Sequence, residues 1–186
     1  MKDFSIFEYA LKLAQSAQCE DLGQISYISR RIFDERETFR FRAQVPTLEY
    51  VSLLIENALL LHTNRTGRLY AGFEKLSRME AVADRYLRIA DLSERVYVFG
   101  EADWKPPRHP NMKLITFPHT FRLAREWFVI ANSSTLNVAL VAIDEDGFDV
   151  PVLEERKFRS FKSSNPKIVA SLAAFAEELI DLSLTR

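Results

Sequence analysis

Arg78 and Arg85 stand seven residues apart in S-R-M-E-A-V-A-D-R-Y-L-R. That spacing puts both guanidinium groups on one side of a helix, with Arg88 beside them. Two or three such groups could hold a carboxylate or a phosphate. A plainer reading competes, in which Arg85 and Arg88 cap or salt-bridge the neighbouring loops. Tyr86 follows Arg85, and Glu126 and Trp127 open an apolar run further on. Trp127 is either core or a pocket wall, and its indole N–H needs a partner in both cases. If the chain were a small enzyme, Glu126 near Arg85 would be the place for its titratable groups to gather.

Other chemistry finds little support. His62, His109 and His119 are far apart, and none lies three or four residues from another metal-type ligand, so no metal site is expected. His62 reads as a helix-end residue facing the dipole. Cys19 has no histidine motif around it and reads as an inert thiol at a helix end. With five glycines and neither a phosphate loop nor a G-x-G-x-x-G turn, the chain carries no nucleotide fingerprint, and no cofactor is expected. The acids of 144–147 lack the spacing of a calcium loop and read as a solvated turn. Arg30, Arg31, Arg36, Arg40 and Arg42 interleave with Phe33, Phe39 and Phe41, as in single-strand binders. Asp34, Glu35 and Glu37 interrupt that field, which predicts a salt-bridged surface in place of nucleic-acid binding.

The elements that must position these residues alternate between helical and strand periods. Residues 4–17 repeat Ile6, Ala10, Leu13 and Ala17 at helical spacing, and 24–37 set Ile25, Ile28 and Ile32 on one face of a short helix. Residues 38–44 alternate Phe39 and Phe41 with Arg40 and Arg42, as a half-buried strand does. Pro46 ends that strand, and Thr47 can cap a helix with the stripe Leu48, Val51, Ile55, Ala58 and His62. A T-N-R-T-G turn leads to a strand at 68–73. Ser77 and Glu80 then form an S-x-x-E capping box for the helix that carries Arg85 and Tyr86. Strands are predicted at 96–99 and 112–117, separated by a proline-rich loop. Those at 126–131 and 136–143 are joined by N-S-S-T into an antiparallel hairpin inside the sheet. Asn165 and Pro166 start a final helix in which Ile168, Leu172, Phe175, Leu179 and Leu182 recur at spacings of four and three.

In bulk, 186 residues with 47% hydrophobic content can bury a large core, and nothing divides it. A net charge of -1 gives no pull towards nucleic acid or anionic lipid. One cysteine fits a reducing compartment. The start M-K-D-F-S-I-F-E is not a signal peptide, and the apolar runs are too short or too interrupted to cross a bilayer, so a cytoplasmic protein is expected.

The chain also resembles a known family. A serine-opened helix with an arginine-tyrosine pair (Ser77, Arg78, Glu80, Arg85, Tyr86), a V-Y-x-F-G strand end (Val96, Tyr97, Phe99, Gly100) and a Glu126-Trp127-Phe128 strand are similar to the DICT sensory domain of bacterial signalling proteins. So are the paired aromatics Phe158 and Phe161 before the last helix, although K-F-R-S-F-K departs from the pattern by its lysines. The resemblance runs from about Gln24 onward. It implies an α/β sensory module without catalysis, linked to light responses and to cyclic-di-GMP or two-component signalling. No output domain is evident in the sequence, so the module would act through a partner or be part of a longer protein.

The expectation is therefore an α/β fold, with α+β as the alternative. Residues 1–186 would form a single domain, a mixed sheet with helices on both faces, with 1–23 as an N-terminal helical extension. It would be a noncatalytic module binding a small ligand or a signalling protein, with Arg78, Arg85, Tyr86, Glu126 and Trp127 as contacts. The last helix has a second apolar line of Val169, Ala173, Ala176 and Ile180. Leu179 and Leu182 could therefore bind a second copy or a partner, unless the helix is simply wedged core. The competing classes are an interaction scaffold or transcription-regulator partner without a ligand pocket, and a small enzyme.

Overall fold

The uninterrupted apolar runs 128–131 and 138–142 have no polar face to give to water, and the fold buries them at the centre of its sheet. In the computed structural model, which describes residues 1–61 and 65–185, the elements follow in this order. They are α1 (Ile6–Gln15), β1 (Glu20–Gln24), α2 (Arg30–Glu35), β2 (Thr38–Gln44), α3 (Val45–Leu61), β3 (Arg68–Lys75), α4 (Ala83–Leu92), β4 (Arg95–Glu101), β5 (Met112–Thr116), β6 (Glu126–Asn132), β7 (Asn137–Asp144), β8 (Lys157–Ser163) and α5 (Pro166–Leu184). The described residues form one 8-stranded sheet in the order β1-β2-β8-β7-β6-β3-β4-β5. It is mixed: β1/β2, β3/β4 and β4/β5 are parallel, whereas the run from β2 through β8, β7 and β6 to β3 is antiparallel. The fold is α/β, and the expected β6/β7 hairpin is present.

Alternation along β6 and β7 divides the interior into two cores. Val129, Ala131, Leu140 and Ala142 face Leu48, Val51 and Ile55 of α3 and Tyr86, Ile89 and Ala90 of α4. Phe128, Ile130, Ala139 and Val141 face α1 and α5, where they meet Ile6, Phe7, Val169, Leu172 and Leu179. Gly72 on β3 is required by close approach: a Cβ there would stand 2.3 Å from the Phe128 ring. Asn165 caps α5, its Oδ1 accepting the Lys167 N–H at 3.0 Å, and Pro166 occupies the first turn as expected. No helix among the described residues is long and apolar enough to cross a membrane.

The structure corrects several local expectations. β1 was not anticipated, because its residues are mostly exposed and carry no apolar alternation. The helix expected over 24–37 shrinks to α2, since the Ile25 N–H bonds the Arg42 carbonyl at 2.9 Å and holds that stretch extended beside β2. Ser29 caps α2, its hydroxyl accepting the Ile32 N–H at 3.1 Å, and Ile32 is exposed. Cys19 lies in the link between α1 and β1, not on the helix. Thr47 is no cap. α3 starts at Val45 with Pro46 in its first turn, and the Thr47 hydroxyl donates to the Ser26 carbonyl at 3.2 Å. The Ser77–Glu80 capping box does not form. Asp103, in the loop after β4, takes both the Ser77 N–H (2.9 Å) and the Ser77 hydroxyl (2.5 Å). Leu76–Val82 becomes a 3-10 segment, and α4 begins only at Ala83. β8 was also missed, for a reason given by Lys162: this buried lysine donates Nζ to the carbonyls of Phe33 (2.8 Å) and Arg36 (2.6 Å). Burial pushes its amine down to about 8. The readings of His62 and of the turn at 63–67 fall wholly or partly on residues 62–64, outside the described residues.

Candidate functional site

Where α3 meets the 3-10 segment above β3 and β6, the packing leaves a pocket of about 430 Å³. Its walls are assembled from three sources. α3 supplies Glu49, Tyr50, Ser52, Leu53 and Glu56. The 3-10 segment and α4 bring Arg78, Val82, Arg85 and Tyr86, and the sheet adds Phe73, Glu74, Trp127 and Val129. Arg78, Arg85, Tyr86 and Trp127, four of the five residues named from the sequence as contacts, thus line one pocket.

Glu126 does not join them. It is next to Trp127 on one strand, and adjacent strand residues point to opposite faces. Its carboxylate lies in the other core, where it caps α1: it accepts the N–H of Ile6 at 2.9 Å and of Phe7 at 3.3 Å, and the Ser5 hydroxyl. Burial outweighs these bonds and pushes the Glu126 carboxyl up to about 7. Arg85 pairs with Glu56 instead, Nη1 to Oε2 at 2.6 Å, and the Tyr86 hydroxyl donates to the other Glu56 oxygen at 3.0 Å. Glu56 is 3% exposed, and burial raises its carboxyl despite both bonds. The buried Tyr86 hydroxyl is raised well above its usual value by burial and by Glu56. Trp127 is half-buried. Its Nε1–H donates to the Ser52 hydroxyl at 3.1 Å, and its ring meets Phe158 edge-on at 5.9 Å. It is wall and core at once.

The floor of the pocket holds a feature that sequence reasoning missed. Glu74 sits where the β3/β4 register shifts and adopts φ 62°, a left-handed conformation that is uncommon outside glycine. Its buried carboxylate accepts from Arg156 Nη1 at 3.1 Å, and the same nitrogen reaches Asp144 Oδ2 at 2.8 Å. Arg156 is 1% exposed and lies between the rings of Phe148 (4.2 Å) and Phe158 (5.2 Å). Two carboxylates thus share one guanidinium, and burial pushes the Glu74 carboxyl up to about 7 against the pull of Arg156. Asp144, read from the sequence as part of a solvated turn, is a buried member of this triad.

The remaining residues are dispersed. Leu179 is fully buried in the α1/α5 core, whereas Leu182 is 41% exposed. Arg88 is exposed and lies outside the pocket lining. The arginine run is neutralised by Arg30–Asp34, Arg31–Glu35, Arg36–Glu20, Arg40–Asp21 and Arg42–Glu145 pairs, the salt-bridged surface expected of it. His109 bonds Asp91 at 2.8 Å, and His119 stands 4.0 Å from Glu101. Among the described residues no three His, Cys, Asp or Glu side chains are grouped to hold a metal ion. Burial raises the Cys19 thiol, which disfavours the reactive thiolate.

Residues 34–145 match the family model DICT, described as a sensory domain in diguanylate cyclases and two-component systems. The matched span takes in the pocket walls and stops short of Phe158 and Phe161. No curated protein matches the chain. Among solved structures, the crystal structure of polyphosphate kinase from Porphyromonas gingivalis is similar in backbone, with a TM-score of 0.55 and 12% identity. The alignment covers 79% of this chain and 26% of that one, so the chain spans about a quarter of the kinase. At that identity the likeness concerns the fold alone.

Proposed function

The chain belongs to the DICT family of sensory domains, and we propose that it works as a noncatalytic module that binds a small ligand between α3 and α4 and reports it to a signalling protein. The observation that carries this reading is the convergence of Arg78, Arg85, Tyr86 and Trp127 on one cavity of about 430 Å³, with Tyr50, Leu53, Phe73 and Val82 as apolar wall. Pockets of such size and lining, with a few placed polar groups, are the usual sites for small molecules. The internal pairing supports a binding role over catalysis. Ser52 takes the Trp127 N–H, and Glu56 is held by Arg85 and Tyr86, so the Ser52 hydroxyl and the Glu56 carboxylate are both engaged in holding the walls.

Residues 1–186 act as one unit in this reading, α1 being fastened to β6 through Glu126. The family description makes a diguanylate cyclase or two-component protein the natural partner. Control of cyclic-di-GMP or phosphorelay output, in a light response among other settings, would follow from that pairing in the cytoplasm. The exposed Leu182 end of α5 is the surface we assign to a second copy or to that partner. Mass spectrometry of small molecules released from natively purified protein tests the ligand. A compound should come from wild type and be absent from Leu53→Trp, which fills the pocket. Release of the same compounds by both proteins, or of none from wild type incubated with cell extract, would overturn the reading.

A further inference from the structure

We propose that the pocket takes an organic acid, its carboxylate held by Arg78 and its apolar body lying against Trp127, Phe73 and Val82. The inference rests on the pocket being a ligand site and adds the ligand's charge. Among the charged side chains of the lining, Glu56 is bonded to Arg85 and Tyr86, and Glu74 to Arg156. Both carboxylates are therefore engaged within the protein, Arg85 is paired with Glu56 through one N–H, and Arg78 acts on Glu74 only through its charge. Arg78 and Glu49 are left, and among the described residues neither has a hydrogen-bond or ion-pair partner.

The two are not equivalent. Glu49 is exposed, where water solvates it at no cost to the fold, whereas Arg78 is half-buried. A guanidinium partly withdrawn from water gains most from a planar anion that meets its fork with two parallel hydrogen bonds. One unpaired guanidinium suits one carboxylate. A phosphate dianion would call for a second unpaired cation, and the Arg85 charge is already paired with Glu56. A cationic head would meet Arg78 and find the buried carboxylates already occupied. The wall formed by Trp127, Phe73, Val82 and the Tyr50 ring suits a hydrocarbon or aromatic body: the Trp127 N–H is taken by Ser52, which leaves the Tyr50 hydroxyl as its polar group.

Calorimetric titration with phenylhexanoate, phenylhexanol and phenylhexylamine keeps the body constant and changes only the head. The acid should bind about tenfold more tightly than the alcohol, as one charge-assisted pair provides, with the amine weakest. Arg78→Met should lower acid binding to the level of the alcohol while leaving alcohol binding unchanged, and Arg88→Met should change neither. Equal affinities, a preference for the amine, or indifference to Arg78→Met would overturn the charge assignment and leave the pocket standing, provided Leu53→Trp abolishes binding. If none of the three binds, or if binding survives Leu53→Trp, the pocket reading falls with it.

Discussion

The Glu126 carboxylate accepts the backbone N–H of Ile6 at 2.9 Å, so a strand at the centre of the sheet closes the first turn of a helix 120 residues earlier in the chain. A helix start leaves its first N–H groups without intrahelical partners, and an anion there also meets the positive end of the dipole. Ser5 caps the same turn through the Glu8 N–H at 3.0 Å. α1 is thereby joined to β6 by polar bonds as well as by the packing of Ile6, Phe7 and Ala10.

This cap has a pH signature opposite to that of most carboxylates. Burial pushes Glu126 up to about 7, from an ordinary 4.5, while Ser5, the Phe7 and Ile6 N–H groups and the Arg122 charge oppose it. Between those values the folded protein holds a proton that the unfolded chain has released. Stability is therefore greatest below pH 4.5 as far as this group is concerned, and it is lost as pH rises towards 7, by on the order of 3 kcal/mol. Glu74 acts in the same direction over the same window. Urea unfolding at pH 5 and pH 7.5 should show Glu126→Gln losing distinctly less stability than wild type between the two. An equal loss in both proteins would remove Glu126 from the account.

Trp127 is half-buried with its N–H satisfied by Ser52, while Phe158 behind it is fully buried. Trp127→Ala should cost about 3 kcal/mol, the low end for an aromatic truncation, and Phe158→Ala should cost more, towards about 5. Chemical denaturation gives the order. A Trp127→Ala protein as stable as wild type would make this tryptophan a surface residue.

Much of this was legible in the sequence, and the failures have physical causes. β2 showed itself by Phe39 and Phe41 alternating with arginines, and the apolar runs of β6 and β7 announced strands covered on both faces. β8 stayed hidden because Lys162 occupies a buried position on it, its charge met by backbone carbonyls that only the tertiary structure brings there. Arg78, Arg85, Tyr86 and Trp127 can be named by type and spacing, and the fold lines one pocket with them. Glu126 was misplaced although the strand period already puts it on the face opposite Trp127. Glu56 left a usable signal, an acid on the apolar stripe one turn after Ser52. Glu74 left none, since its left-handed backbone and its bond to Arg156, 82 residues away, belong to the fold alone.

Removing Arg156 should expose the cost of that arrangement. Arg156→Met leaves Glu74 and Asp144 buried side by side without a cation, and breaking a buried pair in this way costs about 3–5 kcal/mol. Without the guanidinium the Glu74 carboxyl must rise further, so the variant should recover stability as pH falls and Glu74 protonates. Thermal unfolding of Arg156→Met at pH 5 and pH 8 measures this. A deficit of equal size at both values would show that lost packing on Phe148 and Phe158, not charge, sets the penalty.

Leu179 and Leu182 share the last turns of α5 but not the same environment. Leu179 has no exposed surface and packs in the core with Ile6, Val169 and Leu172, whereas Leu182 is 41% exposed. The helix therefore serves as core along Leu179, and beyond it Leu182 and Leu184 are exposed. Leu179→Glu would bury an unpaired charge, and such substitutions belong to the rare class costing more than about 4 kcal/mol. Leu182→Glu should stay within about 0.5 kcal/mol of wild type, as surface changes do. Circular dichroism on heating should show Leu179→Glu unfolded or strongly destabilised and Leu182→Glu native. Leu182→Glu alone can then report on association. If α5 binds a second copy, its sedimentation should shift from dimer towards monomer with the fold unchanged. A wild type that sediments as a monomer at every concentration removes the second copy, and partner binding unaffected by Leu182→Glu moves the output surface away from this helix.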